Sequence, residues 1–251
     1  MKTKLLLAAA AAAALTAGVV AAAPAANITT AVADSHRPAA DTALDAARKP
    51  AETLDFVGVK PGMTVVDFIP GGGYFTRLFS KAVGPKGVVY STYSPPRPPA
   101  DPSKPAPTPS PLTISADPAY SNVKPLQVGA NSFAVPTPAD IIFTAQNYHD
   151  LKNVPNLDTI ALDKAIYASL KPGGEFIVLD HVANPGDPNV THTLHRIDPA
   201  VVKQEVTAAG FKFEGESSIL RNPADDHTKL VFDPSIRHHT DQFIYKFRKP
   251  K

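Results

Sequence analysis

Three short stretches of the 251-residue chain carry residues whose types and spacing could do chemistry. In the first, Asp67 sits in an apolar run (residues 65–69) and Gly71, Gly72 and Gly73 follow it. Glycines accept positive φ and let a ligand come close to the backbone. A glycine turn that feeds a helix also presents unpaired N–H groups and the positive end of the helix, which suits an anion. The same turn could be structural, with the Asp67 carboxylate satisfying its N–H groups. In the second stretch, Gln146-Asn147-Tyr148-His149-Asp150 follows the apolar run at 140–145. An imidazole beside an acid at such a position is a candidate general base. In the third, Asp180 and His181 close the run Ile177-Val178-Leu179 and offer a similar pair. Each histidine could equally be a structural hydrogen bonder.

Metal chemistry is the main rival. His149, His181, His227, His238, His239 and the pair His192 and His195 supply imidazoles, and Asp225 and Asp226 supply carboxylates. An i, i+3 spacing could bring His192 and His195 to one side of a helical turn. No His-Glu-x-x-His motif occurs, and the spacings single out no metal centre. Neither a Gly-x-Ser-x-Gly elbow nor a phosphate-binding P-loop is present, so hydrolase and nucleotide-triphosphatase chemistry has no support.

The elements that must position these residues follow from periodicity. Short β-branched and apolar runs predict strands at 65–69, 88–92, 123–128, 140–145, 175–180, 211–220 and 242–247. Phe75, Leu78, Phe79 and Ala82 recur at helical spacing after the glycine turn, and 157–170 reads as another helix. Asp198 before Pro199, with Gly210 beyond, frames a third. Residues 42–57 also look helical, with a break at Pro50. Strand–helix alternation of this kind predicts a mostly parallel sheet covered on both faces.

The ends and the insert read differently. Lys2 and Lys4 precede an apolar, alanine-rich run, and Ala23-Pro24-Ala25 suits signal-peptide cleavage after Ala25. The expected organisation is a signal peptide at 1–25, a flexible leader at 26–41 and one domain at 42–251. A crowd of prolines makes 94–111 an extended or mobile insert. Loss of the leader lysines leaves basic residues equal in number to the 23 acidic ones, which argues against nucleic acid as a partner. Cysteine is absent, which excludes disulfides and thiolate metal sites. A periplasmic or secreted protein with no stable membrane span after cleavage, acting on a small molecule, is the expectation. The oligomeric state is open.

Residues 65–73, 140–150 and the turn Leu170-Lys171-Pro172-Gly173-Gly174 before an apolar strand, in that order and spacing, resemble the class I S-adenosylmethionine-dependent methyltransferases. The likeness spans roughly 53–247. More narrowly, residues 220–229 are similar to the C-terminal segment of a poorly characterised group of exported methyltransferases. The resemblance implies an α/β fold, a Rossmann-like three-layer sandwich whose seven-stranded sheet is mostly parallel with its last strand antiparallel. It implies S-adenosyl-L-methionine as cofactor, with Asp67, Gly71, Gly72 and Gly73 around the methionine part. Gln146, Asn147, Tyr148 and His149 would line the methyl-transfer site, with His149 or Asp180 as base. Three positions depart from the family: Ile69 stands where a glycine is usual, Tyr93 where an acid grips the ribose, and Ala130 near where an acid meets the adenine, with Asn131 the nearest polar group. The implied activity is methyl transfer to a small-molecule acceptor. The alternatives are a non-catalytic exported binding protein on the same fold, or a metal-dependent enzyme.

Overall fold

Val65 and Val66 point to opposite faces of one strand and both are fully buried, as a parallel sheet covered on both sides requires. The computed structural model describes residues 24–95, 103–129, 132–187 and 189–251. The expected signal peptide through residue 23, Ala130 and Asn131, and part of the proline insert therefore lie outside the described residues. In chain order the elements are α1 (Ala26–Val32), α2 (Ala39–Thr42), α3 (Asp45–Arg48), α4 (Pro50–Val57), β1 (Thr64–Asp67), α5 (Tyr74–Val83), β2 (Val88–Tyr93) and α6 (Ser110–Ser115). Then come a 3-10 turn (Pro118–Tyr120), β3 (Val123–Gln127), β4 (Ala139–Ala145), α7 (Tyr148–Leu151), α8 (Thr159–Ser169) and β5 (Leu170–His181). The chain closes with α9 (Val190–Thr193), α10 (Pro199–Ala208), β6 (Lys212–Ser217) and β7 (Gln242–Arg248).

The seven strands form one sheet in the order β3-β2-β1-β4-β5-β7-β6. All neighbours are parallel except β7, which runs antiparallel to both β5 and β6. This is the expected three-layer architecture. Alternate side chains feed two cores. Val65, Ile141, Phe143 and Ile177 pack with α1, α4 and α5, while Val66, Ile142, Phe176 and Val178 pack with α8 and α10. The apolar stripe of α5 is locked by Phe75 and Phe79, whose rings lie 4.7 and 5.1 Å from Phe143.

Two expectations are corrected. Residues 26–41 are no loose leader: Ile28 and Ala31 of α1 are buried in the first core, and the Asn27 side chain donates to Val59 O at 3.2 Å and Ala82 O at 3.0 Å. Small apolar residues at helical spacing suffice to dock a short helix when a polar side chain satisfies backbone carbonyls beside it. The proline insert, too, is not extended throughout. Its end begins α6, where Pro111 falls in the first turn and loses no helical hydrogen bond. No described helix is long and apolar enough to cross a membrane.

Candidate functional site

The carboxyl ends of β1 and β4 are adjacent in the sheet, so the first two chemically promising stretches converge there. Asp67, the last residue of β1, is buried and accepts from Thr76 Oγ1 at 2.6 Å. Burial raises its carboxyl to about 7 against the opposing pull of that hydroxyl and of Arg48. Ile69 has φ +58°, the left-handed region that a β-branched residue rarely occupies. Tight partners hold it there: its N–H donates to Thr92 Oγ1 at 2.9 Å, and its carbonyl accepts from Asn147 Nδ2 at 2.7 Å. Gly71 and Gly73 also have positive φ. A Cβ on Gly73 would lie 2.2 Å from Ile114 Cδ1 of α6, whereas Gly71 and Gly72 face open space.

That open space is a cavity of about 210 Å³, whose lining includes Arg48, Asp67, Gly71, Gly72, Gln146 and Asn147. Arg48 escaped the sequence reading. Its guanidinium stands 4.6 Å from the Tyr74 ring centre and donates to Gln146 Oε1 at 3.3 Å. Burial lowers its affinity for a proton, with Asp67 among the charges that counter this. Arg37 and Arg77 are each paired with a carboxylate, yet among the described residues none stands in salt-bridge contact with Arg48. A guanidinium fork, two open glycines and a buried acid form a donor set fit for the carboxylate and ammonium of an amino acid. Gln146 is fixed by Gln242 Oε1, which accepts from its Nε2 at 2.9 Å.

On the other side of Ile69, Pro70 and Gly71 lies a larger cavity of about 940 Å³, walled by Thr92, Tyr93, Ser94, Gly129, Asp150 and Leu162 among others. The two spaces share that three-residue ridge. The residues present thus fit the amino-acid half of S-adenosylmethionine. The adenosyl half has room, but Tyr93 rather than an acid stands at the end of β2.

The remaining candidates divide. Tyr148 is fully buried, and its hydroxyl contacts Asp163 Oδ2 at 2.8 Å and Glu205 Oε2 at 3.2 Å, so it faces α8 and α10 and lines neither cavity. His149 and Asp180 do meet. His149 Nδ1 lies 2.8 Å from Asp180 Oδ1, and the other Asp180 oxygen accepts from the His149 N–H at 2.8 Å. Burial opposes a charge on His149, but Asp180 and Asp150 overcome it and raise the imidazole to about 10. The two carboxylates favour the protonated ring as long as no other cation takes the proton's place. His181 is buried away from water and lowered to about 4, its Nδ1 2.8 Å from Thr240 Oγ1. The spacing also missed a partner: His195 Nδ1 lies 3.3 Å from His149 Nε2, 46 residues away in sequence. His192, its neighbour by spacing, is on α9 and lines a different surface cavity.

No protein-family model matches the chain. Among curated proteins it is similar to the ubiquinone/menaquinone biosynthesis C-methyltransferase UbiE of Escherichia coli and of Shigella boydii. Each is 28% identical over 206 residues, covering 77% of this chain and 67% of the relative. A methyltransferase structure from Aquifex aeolicus aligns with a TM-score of 0.52 at 19% identity, over 79% of this chain and 88% of its own. One from Mesorhizobium loti aligns with a TM-score of 0.54 at 14% identity, over 82% and 99%. Sequence similarity to curated methyltransferases and a fold shared with solved ones thus agree with the resemblance to the class I S-adenosylmethionine-dependent methyltransferases.

Proposed function

We propose that this chain moves a methyl group from S-adenosylmethionine to a small-molecule acceptor outside the cytoplasm. The observation that carries the reading is the Arg48 guanidinium, without a carboxylate partner among the described residues, facing Asp67 and the open glycines Gly71 and Gly72. When bound, the donor supplies an electrophilic methyl group on a sulfonium. The chain's own residues position: Arg48 and Gln146 hold a carboxylate, Asp67 accepts from an ammonium, and the glycine backbone permits close approach. In-line placement of donor and nucleophile provides most of what methyl transfer asks of a protein. His149, held by Asp180, lines neither cavity and is given no part in deprotonating the acceptor.

Titration calorimetry with S-adenosylmethionine and S-adenosylhomocysteine tests the donor site. Arg48→Ala is expected to weaken both by about 10- to 100-fold, since a hydrogen bond to a charged group contributes roughly 1.5–3 kcal/mol. Failure of either ligand to bind at millimolar concentration would favour the second reading, a non-catalytic binding protein. Tyr93 at the position of the ribose acid is the feature that supports it.

A further inference from the structure

We infer that His149, Asp150 and His195 form a binding site for one divalent transition-metal ion, with Asp180 orienting His149 from behind. The three donor atoms make a nearly equilateral triangle. His149 Nε2 is 3.3 Å from Asp150 Oδ1 and 3.3 Å from His195 Nδ1, and His195 Nδ1 is 3.4 Å from Asp150 Oδ1. These edges lie at the long end of the hydrogen-bond range. Tetrahedral ligands at about 2.0–2.1 Å from an ion, the zinc–nitrogen and zinc–oxygen distance, stand about 3.3–3.4 Å apart. The triangle therefore has the dimensions of three vertices of such a tetrahedron.

The surroundings supply what a metal site needs. The contact of Asp180 Oδ1 with His149 Nδ1 holds a proton on that nitrogen and leaves Nε2 facing the triangle. Asp180 is itself pinned, accepting from the backbone N–H groups of His149 and His181 at 2.8 Å each. His195 is presented by a bend with φ +53°. The next residue, Arg196, is fully buried against Asp225 and donates to Val182 O at 3.0 Å, and the Phe232 ring stands 5.1 Å from His195. His149 is buried, while His195 and Asp150 are part exposed, so an ion can enter from solvent. Two carboxylates, Asp150 and Asp180, match the charge of a dication. Two imidazoles with one carboxylate favour zinc and its neighbours over magnesium or calcium. Three protein ligands leave a coordination position free. Asp150 also walls the larger cavity, which puts that position at the edge of that space.

The test uses the whole chain purified without a histidine tag. Dialysis against Zn²⁺ followed by elemental analysis is expected to give one equivalent per chain, and Co²⁺ loading to give the intense visible bands of a four-coordinate site. In competition with a chromophoric chelator, Asp180→Asn should lower affinity about 10- to 100-fold, as loss of an outer-shell partner does. His195→Ala and Asp150→Asn should lower it further, and His192→Ala should leave it unchanged. Circular dichroism of each variant checks that the fold persists. Binding well below one equivalent, a Co²⁺ spectrum of the free aquo ion, or full affinity in His195→Ala would overturn the proposal. Donor titration on the same preparation is read separately: one equivalent of zinc with no donor binding would defeat the methyltransferase reading and leave the metal site standing.

Discussion

Ile69 adopts a backbone conformation that costs an L-residue roughly 1–2 kcal/mol, at the point where the two cavities meet. Ile69→Gly relieves that strain and gives up the packing of a half-buried side chain, a loss of about 1–2 kcal/mol. The two effects are comparable, so the variant should unfold at nearly the wild-type urea midpoint while binding the donor more tightly across a lower ridge. A midpoint that falls as a buried Ile→Gly change ordinarily would show that the ridge is not strained. Asp163 is the second residue with a legible cost. Burial and the nearby Glu205 raise its carboxyl to about 8, and Tyr148 has one hydroxyl proton to share between the two acids. Folded Asp163 keeps a proton that the unfolded chain releases near pH 4, so its contribution declines as pH rises from about 4 to about 8. Asp163→Asn stays neutral and can still accept from the Tyr148 hydroxyl through its amide oxygen. Its urea midpoint should exceed wild type at pH 8 and match it near pH 4; equal differences at both pH values would refute the assignment.

At the scale of elements, α6 and the glycine turn are one unit. Ile114 of α6 sits over Gly73, and Ser110 Oγ donates to Gly71 O at 2.5 Å. Gly73→Ala forces a Cβ into Ile114 and a side chain into φ +83°, so the melting temperature should drop clearly. Adding Ile114→Ala should recover the steric part and not the backbone part; full additivity of the two losses would mean that the contact is absent. The turn itself was legible, because three glycines between an apolar strand and a helical stripe have few other uses. The same holds for Asp198, which accepts from Ala200 N at 2.8 Å as an N-cap should. Arg48 was not legible. It lies among short helices broken by Pro50, and its meaning appears only when α3 folds across to Gln146, 98 residues on. Tyr148 was misread for a related reason. A four-residue helix turns successive side chains in different directions, sending Tyr148 into the core and His149 toward Asp180. Sequence adjacency to a strand end does not settle which way a side chain faces.

For the whole molecule, the first described helix begins where the signal peptide is expected to be cut. Ala25 O accepts the first amides of α1, from Ile28 and Thr29. Cleavage after Ala25 removes that carbonyl and leaves the Asn27 contacts and the buried Ile28 in place. Intact-mass analysis of material recovered from outside the cytoplasm should give a chain starting at Ala26; a full-length mass there, or retention inside the cell, would contradict export. Docking of α1 is also measurable: Ile28→Ala should cost about 2–5 kcal/mol, as truncation of a buried Ile does, where a loose leader would lose nothing. The position of β7 has a consequence for how the chain is made. It is the last strand in sequence, yet it lies between β5 and β6 and supplies the ladder partners of both. Until β7 emerges from the ribosome, β5 has one open side and β6 has no partner in the sheet. The β5-β7-β6 end of the sheet thus cannot pair before β7 has been made, so its assembly is the latest step the strand order allows.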